Sequence, residues 1–139
     1  MKYLSIDLET VGLYPREPKG ILMISMVVED TEKKTELSDL AHFSCLLDHG
    51  ATIEGPCGVV AMAMNAWILA ALAIHKADKN KGENSMPSVL KDLGVPSKTI
   101  DRAQKALENY PVLTMEEMIK EALCFIDKHF GENSSVTVA

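Results

Sequence analysis

Residues 2–13 read KYLSIDLETVGL, and their alternation of apolar and polar side chains predicts a β-strand at the start of the chain. Successive side chains on a strand point to opposite faces. The apolar face carries Leu4, Ile6 and Leu8. The polar face carries Ser5, Asp7 and Glu9. Two carboxylates therefore share one face of this strand, on residues whose Cα atoms are about 6.5–7 Å apart.

Asp7 and Glu9 form a candidate site for a divalent metal ion. Asp is depleted from strands, and an unpaired buried carboxylate is costly, so such acids need a metal ion or a hydrogen-bond network if they lie inside the fold. Their oxygen donors favour Mg²⁺ or Mn²⁺, as one shared ion or as a pair about 3.5–4 Å apart. The alternative is that both acids lie on a solvated face and that Thr10 to Leu13 form a plain turn.

The stretch from Ser5 to Leu13, with the apolar segment 21–30 behind it, resembles the start of the DnaQ-like DEDD 3′–5′ exonucleases, which have the ribonuclease H-like fold. The resemblance implies that Asp7 and Glu9 are catalytic and match the first two of four acidic ligands for two Mg²⁺ or Mn²⁺ ions. It also implies that Thr10 and Leu13 lie against the 3′-terminal nucleotide.

Asn65 is a further candidate for substrate binding. It ends the segment 61–65, which resembles an Ala-Leu-x-Met-Asn stretch found after the third strand in phage and bacterial members of that family. It also interrupts the Ala-rich apolar run 59–74. Two interpretations stay open, a buried amide satisfied within the protein and a contact with substrate or backbone near the site.

The chain departs from the family pattern after its first motif. The resemblance requires a third acid after a fourth strand, and a fourth Asp preceded by a His or Tyr general base. None of the later aspartates stands in such a position: Asp78, Asp92, Asp101 and Asp127. Because residues 134–139 predict only the beginning of that strand, residues 1–139 are expected to form a single, incomplete exonuclease-like domain, truncated before the second motif.

Composition narrows the function classes. A length of 139 residues with 47% hydrophobic content suits one globular domain. The net charge of −6 argues against a broad basic surface for nucleic acid, although bound metal ions reverse the local charge at a phosphate site. Three cysteines without a Cys-x-x-Cys pair, and the absence of a signal peptide, predict a cytoplasmic protein. The apolar run 59–74 is too short for a membrane span of about 20 residues.

Periodicity predicts an α/β fold. Strands are expected over 21–29 and 42–48, and their short connection favours an antiparallel three-strand meander with the first strand. The run 59–74 is expected to be one buried helix, and Ser97 to N-cap a helix that ends at Tyr110. Thr114 and Glu117 form a capping-box signature for a last helix that ends at Gly131. The core stripe of this helix is expected to contain Met115, Met118, Ile119, Ala122, Leu123 and Ile126.

The resemblance thus implies a ribonuclease H-like domain in which a terminal fourth strand pairs parallel to the first. The expected function is metal-dependent 3′–5′ hydrolysis at the 3′ end of DNA or RNA, of which this chain carries part. The alternative is a catalytically inactive remnant or protein-binding module of the same fold. In that case Asp7 and Glu9 are structural, and the open sheet edge and the Ala-rich helix bind a partner chain or a second copy.

Overall fold

The computed structural model describes residues 1–12, 20–50, 58–80 and 85–131. This part of the chain has an α/β fold in which helices pack on both faces of a mixed sheet. The strands, in sheet order, are β1 (Lys2–Thr10), β2 (Ile21–Asp30), β3 (Ala41–Leu47) and β4 (Val112–Leu113). The helices are α1 (Val59–Met64), α2 (Ala66–Lys79), α3 (Met86–Asp92), α4 (Ser97–Asn109) and α5 (Met115–Phe130).

The antiparallel meander of β1, β2 and β3 is confirmed. The fourth strand in the described ranges is β4, a different segment from the strand expected near the end of the chain. It pairs in parallel with β3, whereas the expected strand was to pair with β1. Two residues are too few to show a periodicity, so no sequence pattern indicates β4. The strand expected over 134–139 lies outside the described residues, and within them β1 pairs with β2 alone.

Each face of the sheet has its own apolar core. On one face, Leu4, Met26 and Cys45 pack against α5. On the other face, Met23 and Leu46 pack against α2 and α4. Burial raises the pKa of the Cys45 thiol to about 11, so this group stays protonated and unreactive at neutral pH.

The Ala-rich segment is two helices, and the expectation of one continuous helix is wrong. The break falls at Asn65, which has φ −101° and ψ 15°. Asn65 is both the C-cap of α1 and the N-cap of α2. Its backbone N–H donates to Ala61, whereas its carbonyl accepts from Ile68 and Leu69. Its side chain points to β1 instead of continuing the apolar face.

The start of α4 also differs from expectation by one residue. Ser97 is the first helical residue, and Pro96, with φ −57° and ψ 136°, holds the N-cap position. Pro has an extended conformation here and offers no side-chain acceptor, so the helix begins without a side-chain cap.

The boundaries of α5 are confirmed, but only part of its expected core stripe is buried. Thr114 and Glu117 form both bonds of the capping box, at 2.8 and 3.2 Å, and Gly131 ends the helix with a φ of 73°. Met118 is buried, whereas Ile119 and Leu123 are 49% and 56% exposed. Successive residues on a helix are rotated by about 100°, so the residues of the expected core stripe spread over a wide arc of α5. The surface of α5 that contacts the sheet is narrower than this arc, so part of the stripe stays exposed.

No helix in the described ranges is both long and apolar enough to cross a membrane.

Candidate functional site

Asp7 and Glu9 lie on the same face of β1, as their spacing predicts. Asp7 is opposite Ser25 on β2, and Glu9 is opposite Met23. Met23 packs against α2, so both acids belong to the sheet face that α2 partly covers. Asp7 is exposed, whereas Glu9 is partly buried.

Neither carboxylate has a hydrogen-bond or ion-pair partner among the described residues. A strip of polar side chains crosses the sheet from Asp7, because Ser25 is opposite Asp7 and Ser44 is opposite Ser25. The Ser44 hydroxyl donates to the Ser25 hydroxyl at 3.0 Å. Among the described residues, this strip offers carboxylate and hydroxyl oxygens, and its carboxylates form no ion pair; such a donor set suits a hydrated Mg²⁺ or Mn²⁺ ion.

The strand register changes directly after the acids. Glu9 is opposite Met23, but Thr10 is opposite Ile21, so a β-bulge lies between Glu9 and Thr10. Bulges are over-represented next to active sites because they redirect the chain and its side chains. Here the extra residue is Leu22 of β2, which lies opposite the step from Glu9 to Thr10, where the turn after β1 begins.

Hydrogen bonds from distant parts of the chain hold the turn in place. Val11 is 1% exposed, and its N–H donates to Gly20 at 2.9 Å. The Val11 carbonyl accepts from the Gly58 N–H at 2.7 Å. Within the turn, the Thr10 hydroxyl donates to the Gly12 carbonyl at 2.6 Å. These contacts fix the end of β1 and therefore the direction in which Glu9 points.

Asn65 provides the remaining anchor. It is 5% exposed, and its side-chain amide donates to the Thr10 carbonyl at 3.0 Å. This contact fits the first interpretation, a satisfied buried amide, and also the backbone part of the second, because its partner is the Thr10 backbone near the candidate site. A contact between Asn65 and substrate stays a prediction.

Other predicted site residues are not brought together in the described part of the chain. Leu13 lies outside the described residues. No group of three or more His, Cys, Asp or Glu side chains that could hold a metal ion occurs in the described ranges. Within these ranges the third and fourth acids of the resemblance have no counterpart beside Asp7 and Glu9.

Sequence reasoning missed the polar strip and the backbone anchors. Ser25 is the one hydroxyl side chain in the otherwise apolar run 21–28, and its position opposite Asp7 could have been found once the meander register was assumed. The bonds from Gly20 and Gly58 to Val11 join backbone groups, so no side-chain pattern could have indicated them.

Comparisons with known proteins gave no relative for this chain: no protein-family model matches it, and neither does a curated protein or a solved structure.

Proposed function

We propose that this chain is part of a metal-dependent 3′–5′ exonuclease with a ribonuclease H-like fold, and that Asp7 and Glu9 are its first two metal ligands. One observation carries the proposal: two unpaired carboxylates share the same face of β1 and are followed by a turn fixed from three other parts of the chain. Because neither carboxylate is paired within the described part of the chain, both are available to a cation, and the fixed turn limits the backbone ordering that binding would require.

Two bound Mg²⁺ or Mn²⁺ ions would supply a hydroxide nucleophile and stabilise the leaving oxygen of a phosphodiester. Asp7 would hold both ions, and Glu9 would hold one and approach the terminal 3′-hydroxyl. Thr10 would contact the terminal nucleotide through its hydroxyl oxygen, which can still accept a hydrogen bond while its hydrogen is donated to Gly12. The third and fourth acids and the general base would come from outside the described residues.

Metal binding tests the site. In a calorimetric titration with Mn²⁺, Asp7→Asn should weaken binding at least tenfold, about 1.4 kcal/mol, because the variant keeps the shape of the side chain and removes its charge. Asp92→Asn is the matched control, since it removes the same charge from an exposed position on α3. Equal affinity in the wild type and Asp7→Asn would contradict the assignment.

A separate assay tests whether the reaction is 3′–5′ hydrolysis of nucleic acid. When the protein assayed includes the remaining acids and the general base, single-stranded DNA and RNA labelled at the 5′ end should shorten stepwise with Mn²⁺ and remain intact with Asp7→Asn. Loss of the 5′ label as a mononucleotide would contradict 3′–5′ polarity. Mn²⁺ binding at Asp7 without any shortening would favour the second candidate function below.

The second candidate is a non-catalytic module that pairs with a second copy of itself through β1. The favouring observation is the open edge: within the described residues β1 pairs on one side only, and Ile6 and Leu8 on it are 36% and 45% exposed. Two such edges can satisfy each other in one isologous contact.

Light scattering after size exclusion measures this association. The wild type should elute with the mass of a dimer, and Leu8→Lys should elute as a monomer because a charge at the edge opposes strand pairing. Leu93→Lys serves as the control, since Leu93 is 75% exposed and lies outside the sheet. A monomeric wild type at high protein concentration would rule out this candidate.

A further inference from the structure

A groove that combines cations with aromatic rings lies on the helical side of the molecule. It consists of two clefts, of about 270 and 300 Å³, that share Trp67 of α2 and Arg102 of α4 as walls. Lys98 lines the first cleft, and Lys105 and Tyr110 line the second. We call these two clefts together the Trp67 groove.

The three cations stand on one stripe of α4. Lys98, Arg102 and Lys105 are spaced by four and three residues, so their side chains leave the helix on the same side. The stripe is about 10 Å long at 1.5 Å per residue, which is comparable with three nucleotides at 3.4 Å per phosphate in a stacked strand.

These cations are not neutralised locally. Within the described ranges no carboxylate forms an ion pair with any of the three, and neither cleft has Asp or Glu among its lining residues there. The whole chain carries a net charge of −6, so a groove whose charged lining residues are all cations contrasts with the overall charge. Uncompensated cations in a cleft attract anions.

Arg102 is held in position by the aromatic ring. Its guanidinium carbon lies 4.3 Å from the centre of the Trp67 ring, within the range of a cation–π contact. This contact orients the planar guanidinium and leaves its N–H groups free for a phosphate. Trp67 and Tyr110 are partly buried, so their exposed parts can contact bases while their positions remain fixed.

The Trp67 groove adjoins the candidate metal site through the α1–α2 junction. Ala63, Met64 and Ala66 line its first cleft, and they flank Asn65 in the sequence. Asn65 donates to Thr10 at the end of the acid-bearing strand. One rigid junction therefore supports the turn of the metal site on one side and the groove on the other.

We infer that the Trp67 groove binds single-stranded nucleic acid, with phosphates on Lys98, Arg102 and Lys105 and bases against Trp67 and Tyr110. That the groove guides a strand whose 3′ end reaches Asp7 and Glu9 rests on the proposed exonuclease function. Binding of nucleic acid to the groove is measured separately. This combination favours a nucleic acid over an acidic peptide, because a base can stack on the Arg102 guanidinium plane above Trp67 and against Tyr110, whereas carboxylates need only charge.

Binding is measured without metal, in EDTA, so that no hydrolysis occurs. Fluorescence anisotropy of labelled 12-nucleotide oligo-dT and oligo-U gives the affinity, and the emission of Trp67, the only tryptophan in the chain, reports contact in the groove. The triple variant K98A/R102A/K105A should bind at least tenfold more weakly. Its log–log salt slope should be smaller by about 2, since each single-strand phosphate contact contributes about 0.7.

The control variant K33A/K34A/K120A removes three charges from exposed positions outside the groove and should bind like the wild type. Circular dichroism checks that both variants are folded. Unchanged Trp67 emission on adding oligonucleotide, or equal losses in the two triple variants, would overturn the inference. A poly-glutamate peptide that binds as tightly, with the same sensitivity to K98A/R102A/K105A, would overturn it in favour of an acidic polypeptide.

The metal site at Asp7 and Glu9 and the nucleic-acid groove can be refuted independently of each other. The Mn²⁺ titration tests the metal site without an oligonucleotide, and oligonucleotide binding in EDTA tests the groove without a metal ion. Absence of Mn²⁺ binding would refute the metal site and leave this measurement interpretable.

Discussion

Leu46→Ala should lower the free energy of unfolding by about 2–5 kcal/mol, the usual cost of removing a buried leucine side chain. Leu46 is 0% exposed and lies at the centre of the sheet, opposite Met23 of β2 and Val112 of β4. Its side chain packs in the core beneath α2 and α4. The loss should fall in the upper half of the range, because its core neighbours include Ala70, Ala71 and Ala103, short side chains that cannot extend to fill the cavity.

Urea unfolding followed by circular dichroism measures this loss. Leu123→Ala on α5 is the matched control, since it makes the same chemical change at a side chain that is 56% exposed. We expect the control to cost less than about 1 kcal/mol. Similar losses in the two variants would contradict the packing described for the sheet.

The parts of the fold that the sequence predicts are those with local signals. The apolar–polar alternation of residues 2–10 predicts both β1 and the common face of Asp7 and Glu9. Thr114 and Glu117 predict the start of α5 because the capping box is completed within four residues. In these segments the pattern that forms the structure is contained in the segment itself.

The parts that sequence reasoning missed depend on contacts between distant segments. β4 exists because Val112 and Leu113 meet β3, and two residues carry no pattern of their own. The break between α1 and α2 accompanies the bond from Asn65 to Thr10, which is 55 residues away in the sequence. The turn after the acids depends in the same way on Gly20 and Gly58.

Asn65→Ala should cost about 1–3 kcal/mol of unfolding free energy, because it leaves the partly buried Thr10 carbonyl without its donor. Asn109→Ala is the matched control. The Asn109 amide also donates to a backbone carbonyl, that of Lys105, at 2.9 Å, but Asn109 is exposed and water can replace the bond. We expect the control to change stability by less than about 0.5 kcal/mol.

The same variant should loosen the turn after the acids more than it loosens the rest of the sheet. Hydrogen exchange at the Val11 amide reports the turn, because this N–H donates to Gly20 beside the carbonyl that Asn65 anchors. If the turn orients Glu9, Mn²⁺ affinity should fall in Asn65→Ala although Asn65 contributes no ligand. If the unfolding free energy falls as expected but hydrogen exchange at the Val11 amide is unchanged, Asn65 supports only the helices. Faster Val11 exchange with weaker Mn²⁺ binding would mean that a residue 55 positions along the chain from Thr10 preorganises the two carboxylates.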